Sequence, residues 1–465
     1  MNLSKTSNND SFAENQYNKM VNTPVSKLIT SLAIPTVISM LVTAIYNMAD
    51  TFFVSQISTQ ASAAVGVVFP IMSIIQAFGF TLGMGSGSLI SIRLGQKRNE
   101  EANVIVSTAF FTAICLGCII TILGTLFSAQ FLSLVGASDS VLPYAKAYAK
   151  YIFFGAPIMT ASFVLNNVLR SEGKAFFSMI GLTTGGILNI ILDPIFIYTL
   201  DLGISGAAIA TLCSQFISFL ILLTCFLKHK TVCRINIKLY SLKKEVLPKI
   251  VTTGFPSLSR QGLASISSIL LNTAAGSYGD AAIAGMSITT KIIMFVASVM
   301  IGIGQGFSPV SGYNYGAKRY DRVEKGSVQG AVMAVGVSTT ITALILIFGR
   351  YLMGMFTTTE ELIDLGMRMM CILAPGYIAV GLSQSSSGVM RGAGDTMTPM
   401  WISLITTVAL RVPVAYGISY LTRTPELPTG RSECIFVSLL VSWCVGALLN
   451  LIAYKRGGWK QKAVQ

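Results

Sequence analysis

The chain has 465 residues, of which 52% are hydrophobic and only 11% are charged, with a mean hydropathy of +0.67. Soluble domains carry about 25% charged residues, so this composition excludes a soluble globular protein. Apolar stretches long enough to cross a bilayer as helices recur along the whole length, which predicts an all-α polytopic membrane protein.

The predicted elements begin with a polar, Asn- and Ser-rich segment at residues 1–27, which we expect to be a flexible cytosolic tail. Twelve transmembrane helices follow, at about 29–56, 62–90, 103–127, 141–169, 176–200, 204–227, 248–276, 281–309, 327–349, 362–390, 397–421 and 434–454. A basic cytosolic linker at 228–249 separates a first lobe of six helices, 28–227, from a second, 250–454. A basic cytosolic tail is expected at 455–465.

The net charge of +14 is distributed unevenly among the predicted loops. Loops that follow even-numbered helices carry 17 Lys and Arg residues, whereas loops that follow odd-numbered helices carry three. By the positive-inside rule, the even-to-odd loops and both termini face the cytosol. The positive charge is therefore a signal for insertion into the cell membrane, and a nucleic-acid partner is not expected.

Two long segments of the sequence repeat. The offset between corresponding residues is constant and equals the separation of Pro35 from Pro256. Pro35 in LAIPTVIS corresponds to Pro256 in TGFPSLSR, and GMGSGSLISIRLGQKR corresponds to GQGFSPVSGYNYGAKR. Six helices therefore repeat as six more, and the repeat is parallel because both halves begin on the same side. Two pseudo-symmetric lobes of this kind are typical of transporters that give alternating access to a central cavity.

Two carboxylates lie inside the predicted spans, clear of the helix ends: Asp50 in YNMADTFF and Asp193 in NIILDPIFIY. An acid at mid-membrane costs about 2.5–3.5 kcal/mol, so it indicates a functional site. Both lie about 9–10 Å from the outer ends of their helices at 1.5 Å per residue. Thr211 lies at a similar depth, and Asn189 precedes Asp193 by one turn on the same helix face. We therefore predict that these four residues form one cation site.

Oxygen ligands of this kind suit a hard ion such as Na⁺, and the amide and hydroxyl groups favour Na⁺ slightly over H⁺. Two neighbouring carboxylates also disfavour double ionisation, so the same site can carry a proton. Pro194 lacks a backbone donor and can act as a hinge in the fifth helix, which frees carbonyl groups beside Asp193. H⁺ or Na⁺ is the expected coupling ion, and no cofactor is expected.

The order and spacing of four stretches resemble one known family. IYNMADTFFVSQ, NIILDPIFIY, the run ending in RLGQKR, and RGAGDTMTPM are similar to motifs of the multidrug and toxic compound extrusion (MATE) family, over all but the first two dozen residues. FPSLSRQGLAS is similar to the bacterial MepA-type branch. The resemblance implies two six-helix lobes of the MATE/MOP flippase superfamily type. It also implies secondary active efflux of lipophilic, often cationic compounds.

The resemblance also implies roles for single residues. Asp50, Asn189, Asp193 and Thr211 would form the cation site of the first lobe, and Pro35 would be the bending point of the first helix. The family's other coupling site uses carboxylates on helices 7 and 8, whereas this sequence has RQGLASISS and no acid in helix 8. Thioethers and aromatic rings pack adaptably around bulky cations. The candidate substrate-cavity residues are Tyr46, Met48, Met286, Lys291 and Met294.

Enzyme and pump classes fit the sequence less well. No GxxxxGK[ST] segment is present, which argues against an ATP-driven pump. GAGD at Gly392–Asp395 matches an element of intramembrane aspartyl proteases, but Asp395 is expected at the cytosolic end, away from Asp50 and Asp193. The chain is therefore not expected to be an enzyme.

A flippase for lipids or lipid-linked substrates is the alternative function, since that superfamily shares the two-lobe fold. Such proteins often line their cavity with cations, and Arg260, Lys291 and Arg411 of the second lobe fit that pattern. The Asp50 and Asp193 pair favours ion-coupled export instead. The expected partners are small lipophilic or cationic substrates and membrane lipids, and the expected state is a monomer.

Overall fold

Helices form most of the chain. The computed structural model of the protein describes residues 3–228, 230–241, 245–276, 280–354, 359–422 and 433–462, with side chains except at 3–10, 264–276, 280–288, 291, 361, 461 and 462. The helices of the first half are α1 (Leu3–Asn22), α2 (Val25–Ser55), α3 (Thr59–Gly95), α4 (Asn99–Leu126), α5 (Ser128–Leu134), α6 (Leu142–Ser171), α7 (Ala175–Pro194) and α8 (Gly203–Leu227). Those of the second half are α9 (Val246–Gly276), α10 (Asp280–Gly316), α11 (Tyr320–Gly354), α12 (Glu360–Gly392), α13 (Met397–Leu404), α14 (Arg411–Leu421), α15 (Cys434–Lys455) and α16 (Trp459–Lys462).

Each of the twelve predicted spans falls on a helix of the structure. The first six coincide with α2, α3, α4, α6, α7 and α8, and the last six with α9 to α12, with α13 and α14 together, and with α15. Within the described residues, 11 helices are long and apolar enough to cross a membrane. At the seventh span, the side chains of α9 beyond Leu263 lie outside that description. The all-α polytopic fold is confirmed.

Several helices extend beyond their predicted ends. The third helix, α3, continues to Gly95 and α10 continues to Gly316, because polar residues that were expected to end the spans are accommodated between helices. Asn314, for example, is fully buried near the end of α10. Its side chain donates to the carbonyl of Val310 at 2.8 Å and accepts from Nε of Arg322 at 2.9 Å. Buried polar groups with such partners do not interrupt a helix.

The two halves of the repeat meet at the end of the bundle where α3, α6, α8, α10 and α12 finish, here called the basic end because its loops carry the 17 cations. A β-carbon on Gly95 would clash with the carbonyl oxygen of Tyr313, and one on Gly316 would clash with that of Ile92. The offset of the internal repeat relates these two pairs to each other. The glycines therefore let the backbones of α3 and α10 touch in a pseudo-symmetric contact.

The described helices nearest the two chain ends, α1 and α16, pack on this basic end. Where a flexible tail was expected at 1–27, the structure has helix α1, in which Met20 is fully buried. Gln16 fixes α1 to the loop after α6 by donating to the carbonyl of Glu172 at 2.7 Å. In the tail expected at 455–465, Trp459 is buried and donates to the carbonyl of Tyr454 at 3.0 Å. Met20 and Gln16 meet residues far away in the sequence, so local composition does not reveal the docking of α1.

The linker between the lobes lies along α4 and over the end of α6. The carboxylate of Glu172 is buried and accepts from the backbone N–H groups of Val232 and Cys233, each at 2.9 Å. Asn103 of α4 accepts from the N–H of Arg234 at 2.8 Å. Burial raises the pKa of Glu172 above its ordinary value, although the two N–H donors and Lys174 oppose this. The described part of the linker is thus held to the first lobe by a buried acid.

Candidate functional site

Three of the four predicted site residues are joined by hydrogen bonds. The side-chain amide of Asn189 on α7 donates to Oδ1 of Asp193 at 3.2 Å and to Oγ1 of Thr211 on α8 at 3.3 Å. Asn189, Asp193 and Thr211 are 2%, 0% and 6% exposed, respectively. Residues expected at one depth of the membrane are therefore in direct contact inside the first lobe.

Asp50 on α2 completes this group. Its carboxylate lies close enough to Asp193 for the two to interact electrostatically, and Tyr46 lies one turn before it on the same helix. Tyr148 of α6 is fully buried beside Asp50 and Thr211. Sequence reasoning missed Tyr148, because YAKAYAKY holds three tyrosines and its pattern does not indicate which of them is buried.

Three carboxylate and amide oxygens of this cluster are buried and have no hydrogen-bond partner within the described part of the chain: Oδ1 of Asp50, Oδ1 of Asn189 and Oδ2 of Asp193. The hydroxyl of Tyr148 beside them is unpaired in the same sense. Leaving one buried polar atom unpaired costs about 1–3 kcal/mol, and native proteins pair most of them. Because carboxylate and amide oxygens are acceptors, three of them together fit a positively charged ligand. A proton on a carboxylate or an ion with oxygen ligands would satisfy them.

The donor set limits which ion could bind. Among the residues that the structure describes, no group of three His, Cys, Asp or Glu side chains is arranged to hold a metal ion. The cluster instead offers two carboxylates, one amide and hydroxyl groups, which are hard oxygen ligands. Such ligands suit hard cations and not the soft transition metals that thiolates select.

Glycines bring α7 close to the helices on either side of it. A β-carbon on Gly186 would lie 2.8 Å from Cγ1 of Val42 and 3.2 Å from Cδ1 of Tyr46, both on α2. On the other side, the hydroxyl of Ser218 on α8 donates to the carbonyl of Gly181 at 2.8 Å. The absence of side chains at these glycines positions α7, and with it the carboxylate and amide of the cluster, between α2 and α8.

The two predicted hinge prolines lie in different backbone settings. The helix α7 ends at Pro194, and the chain continues as a π-helical segment, Ile195–Thr199. The hydroxyl of Tyr198 in that segment donates to the carbonyl of Phe53 at 2.8 Å and so ties it to α2. Pro35 is buried within the continuous helix α2. Irregular backbone is therefore present behind Pro194, while the hinge roles of both prolines stay predictions.

Of the five candidate cavity residues, three have side chains that the structure describes, and these lie on two different helices. Tyr46 and Met48 are partly buried on α2, and Tyr46 lies beside the carboxylate cluster. Met294 on α10 is 52% exposed. The side chains of Met286 and Lys291 lie outside the described residues.

A family model described as MatE matches residues 35–195 and 256–417. The chain belongs to the MatE family. The two matched regions of this MatE protein begin at Pro35 and Pro256, the pair that also marks its internal repeat. It is therefore a multi-pass membrane protein of a transporter family, as the resemblance implied.

Relatives of this MatE protein match between 80% and 97% of its length. The multidrug export protein MepA of Staphylococcus aureus (strain MSSA476) is 28% identical over 375 residues, which are 80% of this chain and 82% of that protein. An outward-facing multidrug resistance MATE transporter of the MOP superfamily superposes with a TM-score of 0.89 and 26% identity, covering 94% of this chain and 97% of that one. A MATE structure in a bent conformation gives a TM-score of 0.88 and 26% identity, with 97% and 99% coverage.

Proposed function

We propose that this MatE protein is a secondary active exporter that moves lipophilic, often cationic compounds out of the cell in exchange for H⁺ or Na⁺. The observation that carries the proposal is the cluster of Asp50, Asn189, Asp193 and Thr211, which contains three buried acceptor oxygens without a described partner. A relative of similar length is a multidrug export protein, which supports this type of substrate.

The proposed setting follows the distribution of charge. The basic end faces the cytosol, and so do both termini, because cationic loops are retained on that side of the plasma membrane. The protein acts as a monomer on small molecules and contacts membrane lipids, and it needs neither a nucleic-acid partner nor a cofactor beyond the coupling ion. A transport cycle of this kind requires no enzymatic step.

The proposed mechanism is alternating access. A cation arriving from outside binds between Asp50 and Asp193, and its charge satisfies the acceptor oxygens there. Helix α2 then rearranges about Pro35, and the substrate is released outward. Coupling requires only that ion and substrate prefer different states of the protein. The contact of α3 with α10 at the basic end supports an outward-facing state for this structure.

The test is dye export from proteoliposomes under a pH gradient alone or a sodium gradient alone. We expect export under at least one gradient for the wild type and no gradient-dependent export for Asp193→Asn. Asp139→Asn is the matched control, since it makes the same substitution at an exposed residue outside the cluster. Full gradient-driven export by Asp193→Asn would disprove coupling at this site.

Export of lipids is the second candidate, because buried cations lie in the second lobe. Arg391 is buried, and Arg411 donates through Nε to Oγ of Ser442 at 3.0 Å. The same proteoliposomes, loaded with a fluorescent phospholipid, separate the two functions. Transfer of the lipid between leaflets with no export of cationic dyes under either gradient would favour the flippase.

A further inference from the structure

A small cavity of about 70 Å³ lies in the second lobe near the basic end, where α3 of the first lobe packs against it. Two arginines contribute to its wall, Arg260 of α9 and Arg391 of α12, together with several hydroxyl groups. No carboxylate is among the described residues that line it. The two guanidinium groups lie close enough to repel each other. Buried charge without a counter-charge is unfavourable, so two cations at one cavity favour a negative occupant.

The two arginines have few partners of their own. With the described residues, Arg391 makes only long hydrogen bonds, to the carbonyl and hydroxyl oxygens of Ser387 at 3.2 and 3.3 Å and to Gln384 at 3.3 Å. Arg260 makes no hydrogen bond or ion pair with the residues that the structure describes. With respect to that part of the chain, its guanidinium is free to donate into the cavity that it lines.

In the first lobe, the position that the internal repeat relates to Arg391 holds an arginine with close hydrogen-bond acceptors. Arg170, the first-lobe counterpart of Arg391, donates to Oε1 of Gln305 across the lobe boundary and to Oδ1 of Asn167 at 2.7 Å. The positions that the repeat offset relates to these two acceptors hold Met84 and Gly388. Neither residue has a side-chain oxygen, so Arg391 lacks acceptors at these two positions and instead makes the longer bonds to Gln384 and Ser387.

The other arginine of the cavity, Arg260, has no arginine counterpart in the first lobe. The repeat offset relates Arg260 to Ser39, whose hydroxyl donates to the carbonyl of Pro35 at 2.8 Å within its own helix. Compared with the first lobe, the second has gained a partly buried cation, Arg260, and its Arg391 makes only longer bonds to the described residues than Arg170 makes to Asn167. A difference of this sign predicts that an acceptor from outside the chain completes the cavity.

We propose that the Arg260–Arg391 cavity binds a small monoanion, which is either free chloride or the carboxylate group of a zwitterionic substrate. By the measure in which one buried water needs about 10–15 Å³, the cavity holds such a group with a few waters but not a whole drug molecule. Met84 and Ser88 of the first lobe also line it, so the anion bridges both lobes and stabilises their contact. This inference does not depend on ion coupling at Asp193.

The test uses purified full-length protein and follows its thermal unfolding midpoint as the morpholinoethanesulfonate anion, which is bulky and has no carboxylate group, is replaced by chloride at constant ionic strength. A second titration uses acetate. A ligand that binds only the folded state raises the midpoint with concentration. We expect a saturable rise in the wild type, which Arg260→Ser abolishes and which Met84→Gln shifts at least tenfold to higher anion concentration by giving Arg391 an internal acceptor.

Arg411→Gln is the control, since it removes a cation of the second lobe that does not line the cavity, and it should keep the wild-type response. A response to chloride identifies a free anion, and a response to acetate alone identifies a carboxylate group. A flat wild-type titration, or the same rise in Met84→Gln and the wild type, would overturn the proposal. Met84→Gln decides the matter if Arg260→Ser does not fold.

Discussion

One amide group of Asn189 serves two acceptors on different helices, Oδ1 of Asp193 at 3.2 Å and Oγ1 of Thr211 at 3.3 Å. Both hydrogens of its NH₂ group are used by these bonds, so the remaining oxygens of Asn189 and Asp193 are left as acceptors without a described partner. Thr211 therefore orients the amide, and the amide in turn orients the carboxylate.

Replacing Thr211 by the similarly shaped valine should weaken binding of the coupling ion. The change leaves one amide hydrogen of Asn189 unpaired, at a cost of about 1–3 kcal/mol, so the ion concentration for half-maximal dye export should rise roughly tenfold. Thr224→Val is the matched control, since Thr224 is an exposed threonine of the same helix. Equal half-maximal concentrations in the two variants would contradict a role for Thr211.

Tyr148→Phe should alter the ion dependence of export while preserving the fold. The phenyl ring keeps the packing of this fully buried side chain, but the hydroxyl group beside Asp50 and Thr211 is lost. We expect the half-maximal ion concentration to change several-fold with little change in the unfolding midpoint. Tyr144→Phe on the same helix, at a residue that is 39% exposed, should behave as the wild type. Identical ion dependence in both variants would limit Tyr148 to packing.

Gly186→Ala should reduce both stability and export. The new β-carbon would lie 2.8 Å from Cγ1 of Val42, and overpacking of this kind costs about 1–3 kcal/mol. It should also push α7 away from α2 and so separate Asp193 from Asp50. Adding Val42→Ala should restore part of the export rate, measured with the same dye assay. Gly66→Ala is the control, because nothing lies within 4 Å of its added carbon; similar losses in both single variants would refute the close-packing explanation.

The buried carboxyl group of Glu172 should make stability depend on pH. Because its folded pKa is raised above the ordinary value of 4.5, the folded state holds the proton more tightly than the unfolded state does. Its contribution to stability is therefore fully present below pH 4.5 and is lost as pH rises through the folded pKa. The unfolding midpoint of the wild type should fall over that window, relative to Glu172→Gln.

The comparison between the two proteins isolates this group from others nearby, since Lys174, Cys233 and Tyr313 also interact with Glu172 and are present in both. Glu100→Gln, at an exposed acid of α4, should leave the wild-type pH profile unchanged. Parallel profiles for the wild type and Glu172→Gln would show that the linker is held without a titrating acid.

The positions of the helices and the depth of the two acids could be predicted from the sequence alone. A backbone inside a bilayer must satisfy its own hydrogen bonds, so an apolar run of sufficient length becomes a helix. The ends of the helices follow the predicted ends less closely, since α3 and α10 continue past them. Counting residues from those ends placed Asp50 and Asp193 at one level, and the repeat with its parallel orientation followed from the same spacing. Local composition determines all of these features.

Contacts between distant residues were decided only by the tertiary structure. Which tyrosine of α6 is buried depends on how α2 and α8 pack around it, and no periodicity of YAKAYAKY selects Tyr148. Helix α1 and the linker both dock on Glu172. Gln16, which precedes it in the sequence, donates to its carbonyl, and the N–H groups of Val232 and Cys233, which follow it, donate to its carboxylate. Such contacts depend on packing between residues that are far apart in the sequence. No local pattern around either partner predicts the contact, so the sequence alone does not determine it.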